Sequence, residues 1–431
     1  MPYQSAKGVF DILPTDPDPD GVWRESHLWL YLEKIIREIA EQFGFREIRT
    51  PIFETTELFT RSIGTGTDIV SKEMYTFLDK ADRSLTLRPE GTAAAMRAFI
   101  EKKLDQKAPI HKFYYIAPMF RYERNQAGRY RQHHQFGAEA IGSSQPQQDA
   151  EVIHLLWTLY NRLGLKGLTL QLNSIGDSEA RAQFRHAFKM YLRPHLEELS
   201  KDSQERYETN PLRILDSKDP KDQKWLHDAP HVLDFLNPAS KAHFETLCLL
   251  LTVIGIPYQI NHRLVRGLDY YNNTVFEITS NELGAQNSLG GGGRYDGLIH
   301  QLGGPNLPAC GFGAGLERII HTMLAQKVDL PSPPVSDLLL IPLGDEASLE
   351  CFKLISALRQ QGYRVEMDFS GKKLKNALRY ADAAKIRLVA VIGDQELQTG
   401  KIELKEMATG TIKTLSLDRL VDALQKNTPL L

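Results

Sequence analysis

The 431-residue sequence is poor in cysteine, has no large excess of either charge and contains no long apolar run. Its three cysteines are far apart and never in a CxxC spacing, which argues against a disulfide framework or a zinc knuckle. Lysine and arginine number 52 against 54 aspartates and glutamates, so any nucleic-acid contact must come from local patches. The most apolar stretch, residues 247–256, is about half as long as a membrane span. With no signal peptide recognisable at Met1, we expect a cytoplasmic protein without membrane contact.

Several common catalytic motifs are also missing. The sequence has no GxxxxGK[ST] phosphate loop and no GxGxxG between a strand and a helix. GxSxG, HExxH and EF-hand spacings are absent as well. The common sequence motifs of nucleotide-binding proteins and hydrolases therefore do not apply to this chain, and motif spacing predicts no metal site.

Changes in residue pattern divide the chain into five segments. The run Pro331-Ser332-Pro333-Pro334 is a stiff linker and the clearest boundary. Beyond it, two strand–helix alternations predict a small α/β domain with parallel strand pairs. Earlier, a helical and charged stretch interrupted by polar residues is typical of an inserted module. We therefore expect a core in two parts (1–177 and 252–330), a helical insertion (178–251), a linker (331–336) and a C-terminal α/β domain (337–431).

Apolar residues at helical spacing predict a helix over residues 23–43. Residues 45–52 look like a strand that leads into Pro51, which cannot donate a ladder hydrogen bond, so we expect this strand at a sheet edge or at an interface. In the C-terminal domain, residues 338–342 and 388–392 are predicted strands.

Two stretches in the first part of the core alternate like the strands of a long hairpin. Phe113 to Glu123 and Arg129 to Glu139 each place every second side chain on one face, with residues 124–128 as the loop. A surface hairpin with ion pairs would explain Arg124 and Arg131. It explains less well a single face that carries Arg, His, Gln and Glu where apolar residues should alternate. A guanidinium can bind two phosphate oxygens, and a carboxylate can accept from an exocyclic amine.

A carboxylate and a hydroxyl precede the helix that we predict over residues 92–102. In the segment Arg88-Pro89-Glu90-Gly91-Thr92, Thr92 could simply cap that helix with Glu90 in its dipole field. Taken alone, this structural role is somewhat favoured over a functional one.

Two later segments combine glycines with arginines. Residues 266–272 place Gly267 between an arginine and two tyrosines, and a turn at a strand edge explains this segment equally well. The glycine-rich runs 290–293 and 311–315 let a backbone pass close to a large or flat group. Arg318, in the first turn of the next helix, opposes the macrodipole unless an anion is held there.

Together these segments resemble the signature motifs of class II aminoacyl-tRNA synthetases and, more narrowly, the histidyl-tRNA synthetase family. Residues 47–54 look like motif 1, the dimer-interface strand, 120–124 like motif 2 and 311–318 like motif 3. The most specific likeness is Arg266-Gly267-Leu268-Asp269-Tyr270-Tyr271 with Tyr295-Asp296-Gly297-Leu298, which resembles the two histidine-specific motifs. The resemblance implies an α+β catalytic core built on an antiparallel sheet, a helical insertion and a C-terminal anticodon-binding α/β domain.

The resemblance also implies a reaction. ATP-dependent ligation of histidine to tRNA(His) would proceed through histidyl-adenylate, followed by transfer to the 3′-terminal adenosine. Because the histidine carboxylate is ionised at neutral pH, the first step needs charge compensation rather than a general base. The implied cofactors are ATP and its accompanying Mg²⁺, the partners are histidine and tRNA(His), and the implied assembly is a homodimer.

Family roles can be carried over to residues of this chain. Arg266 and Arg121 would stabilise charge at the α-phosphate and the substrate carboxylate, with Arg266 as the main catalytic cation. Substrate histidine would be bound by Glu90, Thr92, Gln135, Glu139, Arg266, Tyr270, Tyr271 and Tyr295. ATP would be bound by Arg121, Glu123, Arg129, His133 and Arg318. His133 departs from the family pattern, which commonly has a phenylalanine under the adenine; an imidazole can still stack but buries less apolar area.

Two alternatives use the same fold. A non-catalytic paralogue, such as the regulatory subunit of ATP phosphoribosyltransferase, typically lacks the terminal domain and has degraded histidine motifs. A prolyl, threonyl or glycyl synthetase would share the terminal domain, but the segment 266–271 argues against it.

The C-terminal domain carries a local excess of positive charge. Residues 362–390 contain seven lysines and arginines against three aspartates and glutamates. Taken alone this is more typical of a solvated helix face; beside the resemblance, contact with tRNA phosphates is favoured.

Overall fold

The computed structural model describes residues 3–64, 67–123, 129–281, 287–371 and 373–421. The chain forms two compact units, Met1–Pro331 and Ser332–Leu431, and each is considered by itself. The predicted hairpin loop 124–128 lies outside the described residues. None of the helices in the described ranges is long and apolar enough to cross a membrane.

The first unit combines two sheets with helices. Its strands are β1 (Arg46–Glu47), β2 (Phe53–Thr55), β3 (Tyr75–Leu78), β4 (Ser84–Leu87), β5 (His111–Phe120), β6 (Gln132–Ile141), β7 (Leu168–Ser174), β8 (Tyr258–Ile260), β9 (Asn272–Ser280), β10 (Ser288–Arg294) and β11 (Ala309–Gly315). Its α-helices are α1 (Ser26–Gln42), α2 (Thr56–Ile63), α3 (Thr92–Glu101), α4 (Pro146–Arg162), α5 (Ser178–Leu192), α6 (Lys201–Thr209), α7 (Pro220–Leu226), α8 (Pro238–Val253), α9 (Leu298–Gln301) and α10 (Leu316–Ala325). Short 3₁₀ or π turns lie at Pro19–Arg24, Ile69–Glu73, Leu104–Gln106, Arg193–Glu198, Pro211–Ile214 and Val232–Phe235.

A large, mostly antiparallel sheet organises this unit and confirms the predicted fold class. Its described strands follow the order β1-β5-β6-β11-β10-β9-β7-β8. The pairs β1–β5 and β7–β8 are parallel. The other neighbouring pairs are antiparallel.

Strand alternation separates the two faces of this sheet. Phe136, Phe312 and Phe276 belong to the main apolar core, together with residues of α1, α4, α8 and α10. The residues that follow these phenylalanines in each strand, Gly137, Gly313 and Glu277, therefore lie on the opposite face. Helices α1, α4, α8 and α10 cover one face. Helices α3 and α9 cover part of the other face, and the rest of that face is left for polar groups.

The region around Pro51 differs from its prediction. The strand expected over residues 45–52 is reduced to β1 at the edge of the large sheet, and the next strand, β2, joins a separate sheet ordered β2-β4-β3. The predicted edge position is confirmed, because β1 pairs with β5 at the end of the strand order. Pro51, which cannot donate a ladder hydrogen bond, lies between the two short strands.

The helical module has a small core of its own. Apolar residues from Phe184 to Val232 form one cluster, whereas Phe244, Leu247 and Leu251 of α8 pack into the main core of the large sheet. A buried carboxylate, that of Asp222, joins the module's turns by accepting bonds from the hydroxyls of Ser200 and Ser203. The limits 178–251 of the insertion stay a prediction.

The second unit is an α/β fold. It contains β12 (Leu338–Pro342), α11 (Asp345–Gln360), β13 (Val365–Met367), α12 (Leu374–Ala383), β14 (Leu388–Ile392), α13 (Asp394–Thr399), β15 (Lys401–Glu406), β16 (Ile412–Ser416) and a 3₁₀ turn at Leu417–Arg419. The sheet order is β13-β12-β14-β15-β16. The predicted parallel pairs are present, and an antiparallel addition of β15 and β16 was not predicted.

Candidate active site

One row of residues crosses the open face of the large sheet. Tyr115 pairs with Gly137, Gly137 with Gly313, Gly313 with Gly291, and Gly291 with Glu277. Residues directly opposite each other in antiparallel strands share a face. The row therefore has a floor of three glycines in adjacent strands, flanked by a tyrosine and a glutamate.

These glycines leave room for long side chains to lie on the sheet. A Cβ on Gly137 would be 2.2 Å from Cζ of Tyr115, and one on Gly313 would be 2.1 Å from Nε2 of Gln135. A Cβ on Gly291 would be 2.8 Å from Nη1 of Arg266. The sequence predicted that these glycines let the backbone pass close to a large group. In the structure, the groups that lie close to the glycines are side chains of the protein itself.

We expect Gly313→Ala to weaken binding of histidine, the amino acid that the resemblance implies. The added methyl must displace the Gln135 amide, and loss of one polar contact corresponds to roughly a tenfold increase in the histidine KM. Amino-acid-dependent ATP–pyrophosphate exchange measures this effect. Gly297→Ala is the matched control, because nothing lies within 4 Å of a Cβ there. An unchanged KM in Gly313→Ala would show that the Gln135 amide does not need this space.

A buried carboxylate is the centre of one side of the site. Glu139 accepts hydrogen bonds from Thr92 Oγ1 at 2.8 Å and from the Tyr115 hydroxyl at 3.0 Å, and its other oxygen accepts from the Tyr295 hydroxyl. Burial raises the pKa of Glu139 to about 8, although these bonds favour its charged form. Tyr270 and Tyr271 complete the surroundings, their rings 5.5 and 6.1 Å from that of Tyr295.

The cap of helix α3 is supplied by Glu90 and not by Thr92. The Glu90 carboxylate accepts from the backbone amides of Thr92 at 2.6 Å and Ala93 at 2.9 Å, so Glu90 caps α3. The Thr92 hydroxyl donates instead to Glu139. The capping alternative was therefore wrong about Thr92, and helix α3 is tied directly to the buried carboxylate network.

The raised pKa of Glu139 has a consequence for stability. Between about pH 4.5 and pH 8 the folded protein keeps a proton on Glu139 that the unfolded chain has released, so this group lowers stability as pH rises through that window. We expect the melting temperature of Glu139→Gln to fall less between pH 5 and pH 8 than that of the unmodified protein. Thermal melts across this range measure the slopes, and parallel curves would contradict the shift.

Four guanidinium groups surround the neighbouring cleft, whose volume is about 310 Å³. Arg121 Nε donates to the Pro89 carbonyl at 2.7 Å, and Arg318 Nη1 donates to the Ser288 carbonyl at 2.7 Å. Arg129 forms an ion pair with Glu123 at 3.4 Å. The cleft is lined by Arg121, Glu123, Arg129, His133, Gln135, Arg266, Glu277, Ser288, Glu317 and Arg318, among others.

Among the described residues, Arg266 is held at one end of its guanidinium group. Its Nη1 donates to Oε1 of Glu277 at 2.9 Å, and the same oxygen accepts from the Ser288 hydroxyl at 2.8 Å. Within the described residues, Nε of Arg266 is buried without a hydrogen-bond partner, and so is Oε1 of Gln135. Both residues line the cleft, and a buried unpaired donor together with a buried unpaired acceptor fits a ligand that carries both an anionic and a cationic group.

The electrostatics of the cleft favour an anion. Burial, followed by the charge of Arg129, lowers the pKa of Arg318. Burial also lowers the pKa of His133 to about 3, with the Arg121 charge as the next cause, so this imidazole is neutral at physiological pH. A neutral ring is suited to stacking on a base, and an anion would relieve the repulsion among the arginines.

Four residues of the site were not predicted from the sequence. Tyr115 shares its strand face with Arg121, which is a signal that alternation offered. Glu277 and Ser288 hold Arg266, and Glu317 accepts from the backbone and the ring of His134 at 2.7 and 3.0 Å. The available signal for Glu277 was a glutamate between the apolar residues Phe276 and Ile278 of a strand.

The fold is that of the catalytic core of a class II aminoacyl-tRNA synthetase: an antiparallel sheet whose open face carries an arginine-lined cleft beside a buried polar pocket. Comparison with known proteins narrows this class. The family model described as histidyl-tRNA synthetase matches residues 24–319, and an anticodon-binding domain model matches residues 337–427. The chain belongs to the histidyl-tRNA synthetase family.

Individual relatives agree with this assignment. The chain is 59% identical over 425 residues to the histidine–tRNA ligase of Protochlamydia amoebophila, covering 99% of this chain and 100% of the relative. It is 46% identical to that of Bacillus velezensis, covering 99% of both chains. A crystal structure of apo Staphylococcus aureus histidyl-tRNA synthetase matches with a TM-score of 0.80 and 38% identity, covering 97% of this chain and 99% of that one.

Proposed function

We infer that the protein ligates histidine to tRNA(His) in an ATP-dependent reaction. The observation that carries this function is the position of the arginine-lined cleft beside the buried Glu139 network, on one face of one sheet. The first feature suits a nucleotide, and the second suits a small polar side chain. The near full-length identity to histidine–tRNA ligases supports histidine as the amino acid.

Arg266 and Arg121 are the groups that we propose for charge stabilisation. Adenylate formation brings the histidine carboxylate to the α-phosphate of ATP, and two anions must meet in the cleft. Both guanidinium groups line that cleft, and the unpaired Nε of Arg266 is available to a ligand oxygen. Fixed by Glu277 and Pro89 respectively, they need little reorganisation when the charge moves.

The remaining family assignments fit the geometry of the site. Glu139 with Tyr271 would bind the imidazole, whereas Glu90, Thr92 and the unpaired Oε1 of Gln135 suit the α-ammonium group. Tyr270 and Tyr295 enclose the pocket. Glu123 would accept from the adenine amine, His133 would stack on the base, and Arg129 and Arg318 would bind the phosphates.

We propose that Mg²⁺ accompanies ATP. Mg²⁺ in such sites uses phosphate oxygens and water together with one or two carboxylates. Glu277 is the candidate, because it lines the cleft and its Oε1 accepts the side-chain hydrogen bonds from Arg266 and Ser288. Bound Mg²⁺ would neutralise phosphate charge.

The proposed function also implies partners and a location. Contact of the second unit with tRNA is supported by the exposed side chains of Lys375 and Arg379, one turn apart on α12. A homodimer is supported by apolar side chains exposed near the small sheet, Ile52, Phe53, Phe77 and Leu78. A cytoplasmic location is proposed from the role in protein synthesis.

The regulatory-paralogue alternative is not favoured. The chain retains both histidine-specific segments and the terminal domain. A Bacillus halodurans structure described as an ATP phosphoribosyltransferase regulatory subunit/histidyl-tRNA synthetase shares the fold at 21% identity.

ATP–pyrophosphate exchange with each of the twenty amino acids tests the proposed function. We expect exchange with histidine alone, followed by charging of tRNA(His) transcripts. A site that binds both ring nitrogens should reject apolar isosteres by roughly 10⁴–10⁵. Exchange with no amino acid would favour the regulatory paralogue, and exchange with another amino acid would favour a sister synthetase.

A further inference from the structure

The segment 266–271, which carries Arg266 and both tyrosines, is bonded to the helical module. Nη1 of Arg181, in the first turn of α5, donates to the Tyr271 carbonyl at 2.8 Å and also reaches the Asp269 carbonyl at 3.5 Å. Nδ2 of Asn210 donates to Oδ1 of Asp269 at 3.2 Å. Two residues of the module thus hold the backbone and one side chain of this segment.

The catalytic core holds the same segment from the other side. The Asp269 amide donates to the Ile63 carbonyl at 3.2 Å. Gly64 has a φ of +99°, and a Cβ there would be 2.5 Å from Oδ2 of Asp269. Asp269 therefore lies between the end of α2 and the module.

Within the described residues, packing between α5 and the segment is incomplete on the module side, although the preceding Val265 packs against the module's core. A cavity of about 400 Å³ separates α5 from the segment, and its lining includes Arg181, Arg185, Arg213, Arg266 and Tyr271. Because the space is open, the carbonyl of Tyr271 is fixed on this side by Arg181 rather than by close contact. The Tyr271 ring, by contrast, is buried in the apolar cluster around Tyr295.

We propose that Arg181 and Asn210 are positioning residues of the histidine site. They act through the backbone of Tyr271 and the side chain of Asp269, and so set the placement of Arg266 and Tyr271 without touching the reactants. The inference rests on the proposed function. It makes the helical module a structural part of amino-acid recognition.

The test is a separation of Michaelis constants in ATP–pyrophosphate exchange. Arg181→Ala should raise the histidine KM about tenfold and leave the ATP KM within twofold. The other arginines of the ATP cleft, Arg121, Arg129 and Arg318, keep contacts that do not involve the segment. Arg181→Lys should recover part of the loss, because an ammonium can still donate to a carbonyl. Asn210→Ala should shift the same constant in the same direction, and a thermal melt of each variant monitors folding.

The matched control is Arg185→Ala, which removes a guanidinium from the next turn of α5 and the same cavity wall. If Arg185→Ala raises the histidine KM as much as Arg181→Ala, the effect comes from losing a positive charge in the cavity wall and not from losing the bond to the Tyr271 carbonyl. The proposal would then be wrong. It is also wrong if Arg181→Ala changes both Michaelis constants equally, or neither. Absence of histidine-dependent exchange in the unmodified protein would instead contradict the proposed function.

Discussion

Arg266→Ala should reduce histidine-dependent ATP–pyrophosphate exchange by about 10²–10³ while ATP binding weakens far less. Removing one preorganised donor from a developing charge has effects of this size. Arg266 is suited to such a role because Glu277 fixes one end of its guanidinium and Nε is left for the reactants. Exchange kinetics give the first quantity, and equilibrium titration with ATP gives the second.

The control for this variant is Arg263→Ala. Arg263 lies three residues earlier and donates to Gln223 at 2.7 Å, outside the cleft lining. It should retain exchange close to that of the unmodified protein. Equal losses of exchange and ATP affinity in Arg266→Ala would mean that this residue stabilises bound ATP and the transition state equally. Its catalytic role would then have to be abandoned.

Glu139→Gln should mainly raise the histidine requirement, by roughly 10- to 100-fold in KM. At pH 8.5, above its pKa of about 8, the Glu139 carboxylate is ionised and accepts from three hydroxyl groups, whereas an amide nitrogen in place of one oxygen presents a donor to a donor. The mispaired pocket then binds the imidazole poorly, whereas the ATP cleft is unchanged. The same exchange assay, run over a range of histidine concentrations, measures the effect.

Glu151→Gln serves as the comparison for this second variant. Glu151 forms an ion pair with Lys112 and does not line the cleft, so its loss should leave the histidine KM unaltered. Unchanged kinetics in Glu139→Gln would remove Glu139 from the imidazole pocket.

Much of the fold could be predicted because its signals are local. Hydrophobic periodicity located α1, and strand–helix alternation located β12 and β14 with the bounds that the structure has. The hairpin was predicted by alternation, although its strands end at Phe120 and begin again at Gln132, short of the predicted Glu123 and Arg129. The shortened strand before Pro51 shows how weakly a short apolar run specifies its length.

The rest of the site depends on contacts across the sheet. Glu277 is distant in sequence from Tyr115, and only register places the two in one row. The bond from Arg181 to the Tyr271 carbonyl joins residues 90 apart, and no periodicity could reveal it. By contrast, Glu139 and Gln135 were found because polar side chains interrupted a strand face.

The three-glycine floor described above leaves the middle of the sheet's open face without side chains of its own. On the opposite face, helices supply the covering atoms. The side chains of Tyr115, Gln135 and Arg266 cover this floor. Reactants bound against them would supply further van der Waals partners, and they would complete the interior of the domain much as a cofactor does. Occupancy and rigidity of this sheet are thereby coupled, so the enzyme would be most tightly packed when its substrates are in place.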